Sequence, residues 1–266
     1  MENSYKLPVI TVITVVLNGA RFLEETINSI TSQSYPCIEY IIVDGASNDG
    51  TLGIIKKYEK FIDYWISEKD NGIYDAMNKG VSRATGSWII FINSGDILTT
   101  NFSLVASRLD SLKIRVKAVL CKVNVCDESG AHIKIKSPSK LNNRAFLLGM
   151  PVCHQGILYK RSTIADYDDK YTVIADKVHL YKMYTDSQKS LCIIPIVISK
   201  YRLGGFSEKM RKIYYDEEAR FFAKVTRLGK VGEYAAMAYL WLKYLIFQFV
   251  VRFSLKKSRR RNCNSE

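Results

Sequence analysis

Ile41-Ile42-Val43-Asp44-Gly45-Ala46-Ser47-Asn48-Asp49-Gly50 and Trp88-Ile89-Ile90-Phe91-Ile92-Asn93-Ser94-Gly95-Asp96 decide how this chain folds. Each is an uncharged apolar run that breaks into a short turn carrying aspartate. In open α/β sheets ligands bind outside the carboxyl ends of strands, so carboxylates placed there are positioned to hold a polar ligand. Upstream, Val9 to Leu17 is nearly all β-branched and apolar, the pattern of a central strand buried on both faces, and Asn18-Gly19 ends it. Leu23, Ile27 and Ile30 then recur at helical spacing before Tyr35-Pro36, and Glu39 to Val43 is the next strand. This is a β-α-β unit, hence a parallel pair with a right-handed crossover. Helices are expected from Thr51 to about Tyr58 and from Ile73 to Ala84, with a short strand at Tyr64-Trp65-Ile66 between them. Beyond Asp96, strands are expected at Ala118 to Val125, His132 to Ile135, Gly156 to Tyr159 and Leu191 to Ser199, with a helix at Lys177 to Tyr184. The sheet should continue there and gain an antiparallel portion.

The 266 residues are 47% hydrophobic, enough for one large α/β domain with an appendage, and the formal charge is +13. That charge suits nucleic acid, an anionic membrane surface or a phosphate-bearing ligand. The six cysteines form no CxxC pair and no zinc-ligand spacing, which reads as a reducing compartment. Met1 to Lys6 opens without an apolar leader core, so a cytoplasmic protein is expected. The last sixty residues differ in character. Lys209 to Lys224 reads as a charged amphipathic helix, and Tyr234 to Val251 is almost wholly apolar and aromatic. Lys256-Lys257-Ser258-Arg259-Arg260-Arg261 follows. Lys243 and Gln248 interrupt the apolar stretch, which favours an interfacial helix anchored by the basic run over a membrane span; packing against the body is the alternative.

Asp44 can accept hydrogen bonds from a ring N–H or a ribose hydroxyl, or close an Asx-turn. Asp49 suits a helix cap. Asp96 can supply one oxygen ligand to a hard divalent cation, with a substrate's phosphates completing the shell, or be a simple turn carboxylate. In Asp70-Asn71-Gly72-Ile73-Tyr74-Asp75-Ala76-Met77-Asn78-Lys79-Gly80, Asp70 or Asn71 can cap a helix whose N-terminus attracts phosphate; a solvated helix face is the other reading.

Together with Thr11 to Asn18, Ala84-Thr85-Gly86 and Asn93-Ser94-Gly95-Asp96, these motifs resemble the family 2 glycosyltransferases of the GT-A fold. The likeness is strong over about residues 8 to 100 and continues more weakly through Cys153-His154-Gln155-Gly156 and Ala175-Asp176 to about Ser207. It implies an α/β GT-A fold, a Rossmann-like, mixed and mainly parallel sheet flanked by helices. The catalytic domain would span 1–207, with a nucleotide-sugar half at 1–98 and an acceptor half at 99–207. Residues 208–266 would be a helical, basic, membrane-associating tail. On matching positions, the resemblance puts Asp44 on the uracil of a UDP-sugar, with Thr14, Asn18, Asp75, Asn78 and Ser94 in the same nucleotide pocket. It makes Asp96 the ligand of Mn2+ or Mg2+, His154 a metal or acceptor contact, Arg202 a counter-charge for the leaving diphosphate, and Asp176 the catalytic base. Ser94 stands where the family carries its first acid, and Leu17 where many relatives carry Tyr. The expected reaction is an inverting transfer of glucose or galactose from a UDP-sugar to GlcNAc or GalNAc on undecaprenyl diphosphate. This would serve O-antigen or capsule assembly at the cytoplasmic face of the bacterial inner membrane. Two rival readings stay open: a nucleic-acid-binding protein, disfavoured because the basic residues are dispersed and no binding motif occurs, and a nucleotide-sugar scaffold without catalysis, suggested by Ser94. No nucleic-acid partner is expected.

Overall fold

The computed structural model describes residues 7–242 apart from 113–114, 139–140, 148, 228, 233 and 241. The first half runs β1 (Ile10–Val16), α1 (Ala20–Thr31), β2 (Ile38–Asp44), α2 (Thr51–Lys57), β3 (Tyr64–Ser67), α3 (Ile73–Arg83) and β4 (Trp88–Phe91). These strands lie in the order β3-β2-β1-β4, and all three pairings are parallel. The chain moves outward from β1 through β2 to β3, then crosses back to set β4 on the other side of β1. This reversal opens a crevice at the carboxyl ends of β1 and β4, the place where such sheets bind ligands. All seven residues of β1 are buried, as an uninterrupted apolar run in a central parallel strand requires. Helix α3 lies so close to β1 that a Cβ on Gly80 would sit 2.6 Å from Ile13 Cγ2.

At the opposite end of the sheet, Glu39 explains the Ala84-Thr85-Gly86 motif. Its carboxylate accepts hydrogen bonds from Thr11 Oγ1 (2.5 Å), the Thr85 N–H (2.8 Å) and hydroxyl (2.6 Å), and the Gly86 N–H (3.2 Å). Burial alone would raise its pKa, but these donors outweigh burial and hold it below the ordinary 4.5. A depressed carboxylate contributes stability that is present above the unfolded value and lost as pH falls through the folded one. Glu39→Ala is therefore expected to cost about 2 kcal/mol at neutral pH, with a smaller gap from the parent in melts taken below about pH 4. Thermal melts of the two proteins across pH check this.

The second half contains β5 (Ile97–Leu98), α4 (Phe102–Asp110), β6 (Ala118–Cys126), β7 (His132–Lys136), α5 (Asn143–Leu147), β8 (Ile157–Lys160), α6 (Ala175–Asp186), β9 (Leu191–Arg202) and α7 (Phe206–Lys209). The sheet continues from β4 through β8, β6 and β9 to β5, and β7 also pairs with β6. Strand β8 is antiparallel to both β4 and β6, whereas β6 and β9 are parallel. One mixed sheet therefore carries both halves, as the sequence leads one to expect. Helix α4 was not expected. Asn101 caps it by accepting the Ser103 N–H at 2.8 Å, and Phe102, Val105, Ala106 and Leu109 form its buried stripe.

The chain divides into two compact units, Met1–Lys209 and Met210–Glu266. The second opens with α8 (Arg211–Thr226), and residues 229–232 and 234–240 are also helical. Val231, Tyr234, Met237, Tyr239 and Leu242 are exposed there. Among the described residues no helix is long and apolar enough to cross a membrane. The expected apolar stretch to Val251 and the basic run from Lys256 extend into residues 243–266, outside the described residues.

Candidate active site

Two loops at the carboxyl edge of the sheet are stitched together by side chains. Asp44, with no exposed surface, accepts the Ser47 N–H (3.1 Å) and the Ser67 hydroxyl (2.6 Å) on Oδ2, and the Ser47 hydroxyl (2.5 Å) on Oδ1. Asn18, at φ 51°, donates its N–H to Ser47 Oγ (2.7 Å), and its Oδ1 accepts the Asn48 N–H (3.0 Å). Asp49 accepts from the Ala20 N–H and from Thr51. Asp44 and Asn18 thus build the crevice floor. Gly45 is closely packed: a Cβ there would meet Asp70 Oδ2 at 2.9 Å and Leu17 Cδ1 at 3.3 Å, so the position admits only a hydrogen. Leu17 is 66% exposed and offers an apolar surface to whatever enters. Thr14 does not reach the crevice. It is fully buried inside the sheet, where its hydroxyl donates to the Ile92 carbonyl (2.7 Å) and lies 3.1 Å from the Tyr40 hydroxyl.

Helix α3 uses two neighbouring faces for two tasks. On one, Lys79 Nζ lies 2.6 Å from Asp70, 2.9 Å from Glu68 and 3.4 Å from Asp75. Burial would lower its pKa, but the bonds to Asp70 and Glu68 prevail and raise it. Asp75 also accepts the Asn71 N–H at 3.0 Å. On the other face, Tyr74 and Asn78, one turn apart, reach into the second half. Asn78 clamps Tyr167 both ways: its Nδ2 donates to the Tyr167 carbonyl (3.1 Å) and its Oδ1 accepts the Tyr167 N–H (2.8 Å). Asp75 and Asn78, both expected at the nucleotide, are thus engaged with protein partners. Asn78→Ala strands two backbone groups, so a loss of about 2–3 kcal/mol is expected in denaturant unfolding.

After β4 the chain turns sharply through Gly95, at φ +99°. Ser94 Oγ donates to the Gly19 carbonyl at 3.3 Å, a bond that a carboxylate could not make. Asp96 is 4% exposed; its Oδ2 accepts from Gln155 Nε2 (2.9 Å) and its Oδ1 from the Arg202 N–H (3.2 Å). Burial pushes its carboxyl up to about 7, against the pull of the Gln155 and Arg202 bonds. The Arg202 guanidinium donates to the Gly95 carbonyl (3.2 Å), the Glu128 carbonyl (2.8 Å) and Glu25 (2.5 Å), and sits 4.4 Å from the Phe22 ring centre. Arg202 therefore braces the Asp96 turn, with its guanidinium groups taken by protein partners.

Asp176 lies in the first turn of α6. Its Oδ1 accepts the Lys177 N–H (2.8 Å) and is 2.9 Å from the Tyr74 hydroxyl, which is also 2.8 Å from the Val173 carbonyl. His154 is buried, stacked on Phe91 at 5.0 Å, with Nε2 2.9 Å from the Tyr167 hydroxyl; burial lowers its pKa. Burial raises the Cys153 thiol and the Tyr201 phenol, and the charges of Asp96 and Asp176 push both further. Among the described residues no three His, Cys, Asp or Glu side chains group as a metal cage. A single carboxylate suits a divalent ion that a ligand's phosphates also hold. The sequence reading did not find Tyr74, Ser67 and Glu25, whose partners lie far along the chain.

The chain belongs to the glycosyl transferase family 2, whose family model matches residues 11–174. A PGL/p-HBAD biosynthesis glycosyltransferase of Mycobacterium bovis (strain BCG / Pasteur 1173P2) is 28% identical over 268 residues, 96% of this chain and 99% of that one. S. aureus TarS 1-349 in complex with UDP matches at a TM-score of 0.61 and 16% identity, over 81% of this chain and 65% of that chain. Mannosyltransferase PcManGT from Pyrobaculum calidifontis, in complex with GDP-Man and Mn2+, matches at a TM-score of 0.61 and 20% identity, over 84% and 65%. The fold is GT-A-like and the protein is a glycosyltransferase.

Proposed function

We propose that this enzyme is a metal-dependent, inverting transferase that passes a hexose, glucose or galactose, from a UDP-sugar to a GlcNAc or GalNAc on a lipid diphosphate. The carrying observation is a pair of held carboxylates: Asp96 after β4, bound by Gln155 and the Arg202 N–H, and Asp176 at the start of α6, bound by the Tyr74 hydroxyl that reaches across from α3. The uracil is taken at the carboxyl edge of β1 and β2, where Asn18 and Asp44 order the loops and Leu17 stands 66% exposed. Asp96, together with the donor's phosphates, would hold Mn2+ or Mg2+, which supplies Lewis-acid stabilisation of the departing UDP. Asp176 accepts the proton of the acceptor hydroxyl as that oxygen attacks the anomeric carbon, and the bond to UDP breaks on the opposite side. Tyr74 holds Asp176 in place for this, and the bracing by Gln155, Thr26 and Arg202 keeps Asp96 aligned. UDP in TarS and Mn2+ in PcManGT support the donor and metal on fold likeness.

The exposed apolar side chains Val231, Tyr234, Met237, Tyr239 and Leu242 support a helix lying on a membrane surface. With the basic C-terminal run they favour an undecaprenyl-diphosphate-linked acceptor at the cytoplasmic face of the bacterial inner membrane, in O-antigen or capsule assembly. Incubating the full chain with a panel of UDP-hexoses, Mn2+ and GlcNAc- or GalNAc-diphosphate-lipid analogues, with product masses as readout, tests the reading. A product one hexose heavier is expected; no product with any pairing contradicts it.

A further inference from the structure

A diphosphate on the acceptor needs cationic partners on the acceptor side of the site, and β7 carries two lysines, Lys134 and Lys136. Strand β7 pairs with β6 so that Lys136 stands opposite Val123 and Lys134 opposite Val125. Partners across a ladder share a face of the sheet, so both lysines stand on the face of Val123 and Val125. On that face the two valines pack with Cys153, Tyr201 and Leu203. Across β9 the same valines stand opposite Ser199 and Tyr201, and Ser199 donates to the carbonyl of Gln155, whose amide holds Asp96.

Three other basic side chains are paired: Lys79 with three carboxylates, Arg202 with Glu25 and Lys57 with Glu24. Among the described residues no ion pair involves Lys134 or Lys136. Lys134 is exposed and Lys136 half-buried. Two residues apart, their Cα atoms are ~7 Å from each other along the strand, close enough for two long flexible stems to converge on one diphosphate.

We propose that Lys134 and Lys136 form a diphosphate subsite for the acceptor, separate from the donor pocket. The inference rests on the lipid-diphosphate acceptor reading above. The competing role for such lysines is to guard a free strand edge against pairing with another chain.

The test compares the parent with K134Q/K136Q in the full chain, with UDP affinity as the check that the fold survives. Each is given a GlcNAc-diphosphate-lipid analogue and the same GlcNAc on a neutral alkyl chain. The ratio of kcat/KM between the two acceptors should fall about tenfold or more in the variant, because charge-assisted contacts to phosphate are lost. An unchanged ratio overturns the subsite and leaves the lysines as edge guards. A second arm reads the subsite without turnover: geranyl diphosphate titrated into the UDP-saturated protein should bind the parent and bind the variant about tenfold more weakly. No binding to the parent overturns the subsite, while UDP binding in the same titration keeps the donor reading intact. In a third arm, phosphatidylglycerol vesicles should sediment both proteins alike. Loss of sedimentation in the variant would assign the lysines to lipid headgroups and overturn the subsite.

Discussion

Asp96→Asn is expected to lower kcat by about three orders of magnitude while leaving the melting temperature within a few degrees of the parent. The two effects separate because the hydrogen bonds survive the substitution. Asparagine Oδ1 can still accept the Arg202 N–H, now 3.2 Å from Asp96 Oδ1, and Gln155 can rotate its amide to offer oxygen where it now offers nitrogen at 2.9 Å. The charge at the end of β4 is what disappears. Burial pushes the Asp96 carboxyl up to about 7, so a neutral group there relieves a desolvation cost rather than adding one. A buried carboxylate kept at that cost and bound by Gln155 and the Arg202 N–H, with Thr26 holding the Asp96 main-chain carbonyl, fits a site that needs its charge. Steady-state UDP release and calorimetric melting of the two proteins decide the matter. Unchanged turnover in D96N removes Asp96 from the reaction, and a collapse of Tm in step with activity makes it a structural residue only.

Asp176→Asn should cost about 10²- to 10⁴-fold in kcat, the range associated with a lost general base, and leave the affinity for UDP unaltered. UDP affinity is the useful control, because Asp176 sits on α6 in the second half of the chain while the Asn18 and Asp44 loops belong to the first. Tyr74→Phe should fall between the parent and D176N. It removes the hydroxyl 2.9 Å from Asp176 Oδ1 but leaves the carboxylate and its bond from the Lys177 N–H. If Tyr74 positions the base, Y74F lowers kcat and spares KM for the donor. Equal losses in UDP binding and turnover would instead make Tyr74 a packing residue.

The parallel half of the fold was legible because its strands are buried on both faces and read as unbroken apolar runs: Val9 to Leu17 was expected and Ile10–Val16 is found, Trp88 to Ile92 was expected and Trp88–Phe91 is found. Helix α4 escaped notice although Asn101 and the Phe102, Val105, Ala106, Leu109 spacing carry an ordinary cap and stripe. In the site, strand-end carboxylates such as Asp44 and Asp96 stand out in a sequence because charge at the end of an apolar run is unusual. Their partners do not stand out. Ser67 lies 23 residues from Asp44, and Arg202 lies 106 residues from Asp96, so no local spacing encodes either contact. Arg202 shows the same limit from the other side. Its residue type points to phosphate, but the fold commits its guanidinium to Gly95, Glu128 and Glu25. Thr14 looks like a polar contact at a strand end, yet it spends its hydroxyl inside the sheet on Ile92 and Tyr40.

The most direct measurement is a calorimetric titration of the full chain with UDP, in Mn2+ and again in EDTA. Saturable binding at one site with Mn2+, weakened at least tenfold by EDTA and lost in the same way in D96N, is the result expected from one buried carboxylate sharing a divalent ion with a diphosphate. UDP binding that ignores both the ion and Asp96, or no binding at all, would contradict it.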